Sequence, residues 1–117
     1  MKIERITKQV KNVFKNHFFR YEDQINYIEA RKLISKDPLA ILLDVRSKQE
    51  YNEYHLDGAI CIPTYELAQE ISNIVAKKDQ LIICYCQSGA RSRKAIKILR
   101  QIGYQNLYEI KGGIDNI

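Results

Sequence analysis

The sequence predicts an α/β fold, with a central, mostly parallel sheet and helices on both faces of it. Continuous apolar runs at residues 39–43 and 81–85 are typical of strands that are covered on both sides. These runs alternate with segments whose apolar residues recur every three or four positions, as on one face of a helix. Alternating strands and helices form parallel sheets, which bind ligands beyond the carboxyl ends of their strands.

Residues 1–23 are predicted to be an amphipathic helix and a link, and residues 24–117 a single domain. The helix is indicated by apolar residues at spacings of three and four: Ile3, Ile6, Val10, Val13, Phe14 and Phe18. The pattern fits a helix that packs on its own domain or on a second copy of the chain. It also fits a helix that docks on a partner or a membrane surface. We therefore expect self-association or partner docking through residues 1–20.

The net charge of +5 is concentrated at the start of the chain. Residues 1–20 hold six basic residues and one acidic residue, which leaves 13 of each sign in residues 21–117. A neutral domain does not predict a nucleic-acid partner. The three cysteines lack the spacing of a disulfide framework or of a zinc site, which favours a cytoplasmic protein without a bound metal. No apolar run approaches the ~20 residues that a membrane span requires.

The first half of the domain is predicted to contain three strands and three helices. Proline cannot continue a helix, so Pro38 ends the first one, at residues 28–35. Ser47 and Glu50 have the spacing of a capping box, which starts the second helix. Pro63 and Thr64 open the third, with one apolar face formed by Leu67, Ile71, Ile74 and Val75. The strands are predicted at residues 25–27, 39–43 and 59–62.

The second half is predicted to contain a strand at 81–85, a helix at 92–102, a strand at 106–110 and a tight turn at 111–113. Gly103 is a suitable C-terminal cap for the helix. Between residues 86 and 107 there are five basic residues and no acidic one. We therefore expect a positive local field along this helix, which would attract small anions.

Cys86 lies where a buried strand is predicted to end and a polar loop leads into a helix. The backbone N–H groups of such a loop converge on one point, and together with the helix dipole they favour a thiolate. Gly89 allows the loop to curl back over the sulfur, Arg91 adds a permanent cation, and Ser92 is expected to cap the helix. By contrast, Cys61 and Cys84 lie within apolar strands and are interpreted as small buried hydrophobes.

Several motifs occur together in a recognisable order and spacing. They are Leu42-Leu43-Asp44-Val45-Arg46, Glu50-Tyr51, His55-Leu56-Asp57-Gly58-Ala59-Ile60, Tyr85-Cys86-Gln87-Ser88-Gly89-Ala90-Arg91-Ser92 and Gly112-Gly113-Ile114. This set resembles a single rhodanese-like domain, over residues ~26–117. The cysteine loop is its most specific part.

The resemblance implies a five-stranded sheet and a sulfurtransferase of the thiosulfate:cyanide type that needs no cofactor. Cys86 would take a sulfane sulfur from thiosulfate, or from a protein or low-molecular-weight persulfide, and hold it as a persulfide. The acceptor would be thiophilic: cyanide, or the thiol of a thioredoxin-like or other protein. The expected binding loop consists of Gln87, Ser88, Gly89, Ala90, Arg91 and Ser92. Asp44, Arg46 and His55 match family motifs and are expected to be architectural residues near the site.

Two other functions remain open on the sequence. Cdc25-type phosphatases and some arsenate reductases resemble rhodaneses but have a Cys-x5-Arg loop, whereas Cys86 and Arg91 are spaced as Cys-x4-Arg, which favours sulfur. The chain could also be a regulatory or docking module with an idle Cys86. Position 87 is a neutral glutamine where some thiosulfate users carry a cation, so a protein persulfide is as plausible a donor as thiosulfate.

Overall fold

The computed structural model describes residues 19–117, so the predicted N-terminal helix lies outside the described residues except for Phe19. Strands and helices alternate along the described part. The strands are β1 (Gln24–Ile25), β2 (Ile41–Asp44), β3 (Ile60–Cys61), β4 (Ile82–Tyr85) and β5 (Leu107–Ile110). The helices are α1 (Tyr27–Lys36), α2 (Lys48–Glu53), α3 (Thr64–Ile74) and α4 (Ala90–Ile102), with 3-10 turns at Tyr21–Asp23 and Ile114–Asn116.

The five strands form one sheet in the order β1-β5-β4-β2-β3, and every described pairing is parallel. This confirms the predicted five-stranded parallel sheet. Strand β4 is central, and its register places Cys84 between Leu43 of β2 and Glu109 of β5. Side chains in one such row point to the same face of the sheet. Cys86, two residues beyond Cys84, therefore leaves the strand toward that face.

Helices cover both faces of the sheet, as predicted. On one face α3 and α4 pack against β4 through a core that includes Leu67, Ile71, Ile96 and Leu99. On the other face α1 and α2 pack against a second core around Ile83 and Tyr85. Ile74 was expected on the buried face of α3, but 44% of its surface is exposed because the helix ends there and Val75 turns inward instead.

The capping box at the start of α2 is present as predicted, since Ser47 Oγ accepts from the backbone N–H of Glu50 at 3.2 Å. The start of α4 was predicted incorrectly. Gly89, in a left-handed conformation with φ of +113°, occupies the N-cap position, so the helix begins two residues before Ser92. Ser92 does not cap the helix but is fully buried within its first turn.

The predicted division between residues 23 and 24 remains a prediction. Within the described part of the preceding segment, the carboxylate of Asp23 is buried and forms a bidentate ion pair with Arg100 of α4, with N–O distances of 2.5 and 2.6 Å. This pair attaches the turn that precedes β1 to the end of α4. Across residues 19–117, no helix combines the length and the apolar composition that crossing a bilayer requires.

Candidate active site

Cys86 lies immediately after β4, and its sulfur is enclosed by the loop that leads into α4. The thiol is 1% exposed. Its Sγ accepts hydrogen bonds from the backbone N–H groups of Gly89, at 3.1 Å, and of Ser92, at 3.3 Å. The left-handed conformation of Gly89 turns its N–H inward, an arrangement that a side chain would disfavour. The result is an anion cradle at a helix N-terminus, centred on sulfur.

The C-terminal turn holds this loop from outside. The N–H groups of Ile114 and Asp115 donate to the carbonyls of Cys86 and Gln87, both at 3.0 Å. A Cβ at Gly113 would lie 2.6 Å from the Gln87 carbonyl oxygen, so only glycine allows this approach. With its carbonyls engaged on the outer side, the loop is free to direct N–H groups toward the sulfur.

A buried carboxylate lies behind the thiol. Ser92 Oγ is 3.5 Å from Cys86 Sγ and donates to Glu109 Oε2 at 2.5 Å. Glu109 is fully buried in β5, and its other oxygen accepts from the Gln24 side chain at 2.9 Å. The Arg93 guanidinium lies 3.9 Å from the same oxygen, with its side chain 47% exposed. A carboxylate is thus connected to the candidate nucleophile through one hydroxyl.

Asp44 and Arg46, which are predicted to be architectural residues, form a buried ion pair beside the loop. The two side chains meet at 2.8 Å, and Tyr85 Oη donates to Asp44 at 2.7 Å. Burial raises the pKa of Tyr85, which keeps this donor protonated. Arg46 also reaches the Gln87 side-chain oxygen at 3.3 Å, which links the pair to the cysteine loop. The Arg46 guanidinium also donates to the Tyr54 carbonyl oxygen at 2.6 Å, so it has three polar partners.

Arg91 does not point into the cradle. It lies in the first turn of α4, and its guanidinium forms two hydrogen bonds with the Glu50 carboxylate, at 2.6 and 2.9 Å. These bonds hold the pKa of Glu50 at about 2. The expected positive field along α4 is therefore largely offset, because the fold brings Glu50, Asp23 and Glu109 to its arginines.

The remaining loop residues lie on its outer side. Ser88 and Ala90 are exposed, whereas Gln87 is half-buried. The Gln87 amide nitrogen donates to the exposed Asp115 carboxylate at 2.6 Å. An acidic group therefore lies on the outer side of the loop, next to Gln87, where the sequence suggested only neutral and basic residues.

Three further residues singled out in the sequence do not donate hydrogen bonds to the Cys86 sulfur. His55 is exposed, with its ring stacked on Tyr51 and Nδ1 2.8 Å from the Tyr51 carbonyl oxygen. Cys84 is fully buried, and burial raises the pKa of its thiol well above the ordinary range. Cys61 was expected to be buried but is only partly buried at the end of β3, with Sγ 3.5 Å from the Arg46 carbonyl. Residues 19–117 contain no cluster of three His, Cys, Asp or Glu side chains that could hold a metal ion.

Sequence reasoning missed three contributors to this site. Glu109 had a local signal, since a carboxylate within an apolar strand is rarely buried without a partner. Glu50 was recognised only as a helix cap, although the same carboxylate also binds Arg91. Asp115 had no distinguishing pattern, because only the tertiary fold brings the end of the chain against Gln87.

Comparison with known proteins gives a consistent result. The family model for the rhodanese-like domain matches residues 27–117. The chain is 36% identical over 75 residues to the thiosulfate sulfurtransferase PspE of Escherichia coli, and the match covers 64% of this chain and 71% of PspE. It is similar in fold to the human single-domain sulfurtransferase TSTD1, with a TM-score of 0.70 and 24% identity over 80% of this chain and 93% of that one.

A second group of relatives carries a different name. The chain is 34% identical over 95 residues to the tRNA uridine(34) hydroxylase of Sodalis glossinidius. The match covers 76% of this chain but only 27% of that protein. The chain thus spans about a quarter of the length of this relative.

Proposed function

The chain belongs to the rhodanese-like family, and from this premise we propose that it is a sulfurtransferase that carries sulfur on Cys86. The thiolate attacks the outer sulfur of the donor and a Cys86 persulfide forms. With thiosulfate as donor, the S–S bond breaks and sulfite leaves with the electron pair. A thiophilic acceptor then attacks the outer sulfur of the persulfide, and the Cys86 thiolate leaves.

The observation that carries this proposal is the pair of backbone N–H groups on the Cys86 sulfur. They lie 3.1 and 3.3 Å from Sγ and need no rearrangement to stabilise negative charge. Preorganised donors of this kind act as an oxyanion hole does, because they are already oriented where charge develops. The cradle therefore favours the thiolate as nucleophile and as leaving group.

The charges of the side chains beside the loop favour a persulfide donor over thiosulfate. Arg91 is neutralised by Glu50, and the neutral Gln87 carries Asp115 on its amide. A carboxylate beside the loop disfavours a thiosulfate dianion more than it disfavours the single negative charge of a persulfide group. The donor we propose is accordingly a protein or low-molecular-weight persulfide, with thiosulfate as a slower substrate.

Mass spectrometry after incubation with a donor tests the reaction class. We expect thiosulfate or glutathione persulfide to add one sulfur to Cys86, and excess cyanide to remove it. Cys86→Ser should not carry this adduct, whereas Cys61→Ser, which removes the partly exposed thiol of the described residues, should retain it. An unmodified Cys86 with both donors would refute the proposal.

Two further assays, together with the persulfide measurement, separate sulfur transfer from the two other functions considered. A docking module with an idle cysteine would neither form the persulfide nor react with low iodoacetamide at neutral pH. A phosphatase would hydrolyse an aryl phosphate, which is not favoured here because Arg91 is held by Glu50 rather than directed at a bound anion.

The relatives named as tRNA uridine(34) hydroxylases favour a second candidate, a role in tRNA uridine modification. The match covers only about a quarter of the Sodalis protein. Residues 21–117 have equal numbers of acidic and basic side chains, which does not favour phosphate-backbone binding by this part alone. A filter-binding assay with bulk tRNA at low and moderate salt tests this candidate, and salt-sensitive binding would support it.

A further inference from the structure

We infer that Glu109 is a positioning residue that exchanges a proton with Cys86 through the Ser92 hydroxyl, so that the buried site carries a single negative charge at every stage. This inference deepens the proposed function and rests on it. It starts from the direction of two hydrogen bonds, which together connect the candidate nucleophile with a carboxylate that has no role in the cradle itself.

Two acceptors lie within reach of the Ser92 hydroxyl: Glu109 Oε2, at 2.5 Å, and the Gly89 carbonyl oxygen, at 3.1 Å. Ser92 has a single hydroxyl hydrogen, and we assign it to Glu109 because the shorter distance is that of a charge-assisted bond. The Ser92 oxygen therefore remains available as an acceptor, and the Cys86 thiol donates to it at 3.5 Å. In the resting state of the site, the hydrogen bonds thus run from the Cys86 S–H through the Ser92 O–H to the Glu109 carboxylate.

Repulsion between negative charges explains why the Cys86 proton should move along these hydrogen bonds to Glu109 rather than leave for solvent. A Cys86 thiolate beside an ionised Glu109 would place two negative charges in a buried site, which is costly. The groups that face Glu109 offset one such charge but not two. They are Gln24 from β1, at 2.9 Å, and the half-exposed Arg93 from α4, at 3.9 Å, with Ser92 from α4 and the neutral thiol of Cys84 from β4.

The step is balanced without any further reactant. The Cys86 S–H bond breaks as a Ser92 O–H bond forms, while the original Ser92 hydrogen moves to Glu109 Oε2. Thiol and carboxylate become thiolate and carboxylic acid, with no change in net charge. The persulfide anion then occupies the cradle next to a neutral Glu109, and the proton returns when the outer sulfur has left.

The pH dependence of Cys86 alkylation tests this exchange without a sulfur donor. The variants are wild type, Glu109→Gln, and Glu70→Gln as a control that removes an exposed carboxylate on α3. Internal transfer releases no proton, so the wild-type rate constant for iodoacetamide should fall less than about threefold per pH unit between pH 7 and pH 5.5. In Glu109→Gln the rate constant should instead fall about tenfold per pH unit, because the Cys86 thiolate then forms only by release of a proton to solvent.

An infrared measurement on the wild type covers the case in which Glu109→Gln does not fold. With glutamate-selective carbon-13 labelling, a protonated carboxyl band should appear at neutral pH when Cys86 is converted to its persulfide. Equal slopes for wild type and Glu109→Gln, or a persulfide form without this band, would overturn the inference. If no donor forms a persulfide, the proposed function fails, and the alkylation profiles still decide the proton exchange.

Discussion

Replacing Gly113 with alanine should test whether the C-terminal turn supports the cysteine loop. Gly113 has φ of +63° and ψ of −154°, a conformation that residues with a side chain avoid. The added Cβ would also overlap the Cys86 carbonyl and lie 2.6 Å from that of Gln87. The variant would therefore strain the backbone and displace the loop that forms the cradle.

Gly58→Ala provides a matched control, because Gly58 has φ of +81° but no atom within 4 Å of its Cβ position. In the control, the free energy of unfolding should fall only by the backbone strain of a residue with positive φ, about 1–2 kcal/mol. Gly113→Ala adds overpacking, about 1–3 kcal/mol. We expect it to unfold about 10 °C below the control.

Thermal unfolding and Cys86 alkylation together measure this effect. Gly113→Ala should also slow alkylation or persulfide formation at a temperature where both variants are folded, since the Gly89 and Ser92 N–H groups move with the loop. Equal stability of the two variants, combined with unchanged Cys86 reactivity, would show that the turn does not position the site.

Three further perturbations have defined outcomes. Asp115→Asn should raise kcat/KM for thiosulfate by about threefold, because it removes an exposed negative charge next to Gln87. Alkylation by neutral iodoacetamide should not change; an unchanged kcat/KM for thiosulfate would contradict this reasoning. Glu50→Gln should lower the free energy of unfolding at pH 7 by up to about 1 kcal/mol, since the pair with Arg91 is partly exposed. The pKa of Glu50 is about 2 in the folded protein and about 4.3 when unfolded, so its contribution to the free energy of unfolding is complete above pH ~4.5 and is lost as the pH falls through about 2. An undiminished difference in the free energy of unfolding between wild type and Glu50→Gln at pH 2 would refute this. Arg100→Met should lower the free energy of unfolding, measured in urea, by about 3 kcal/mol, because the buried Asp23 carboxylate keeps only the more distant Arg20 guanidinium, at 3.6 Å, as a cationic partner. Adding Asp23→Asn should recover part of that loss; a single variant as stable as the double variant would contradict this.

Local sequence signals predicted most of the secondary structure, because the responsible interactions are themselves local. Ser47 and Glu50 start α2 as a capping box, and the apolar run at 81–85 becomes the central strand β4. The start of α4 was misplaced for an equally local reason. A serine is a better cap than a glycine in general, but only Gly89 can adopt the left-handed conformation that brings its N–H to the sulfur.

The charge environment could not be predicted in the same way. In the sequence the five basic residues after Cys86 have no acidic neighbour, yet the fold brings Glu50 to Arg91 and Asp23 to Arg100. These partners come from α2 and from the turn before β1. Charges act through space, so a local count of residues does not determine the field at the thiol.

The sequence by itself determined the α/β class, the placement of Cys86 at the carboxyl end of a buried strand, and the glycine that shapes its loop, because backbone geometry and apolar periodicity depend on near neighbours. Only the tertiary structure decided which groups surround the sulfur. The parallel register of β4 and β5 places Glu109 beside Cys84, and the final turn places Gly113 beneath the loop. These contacts join residues far apart in the chain, so no local pattern could specify them.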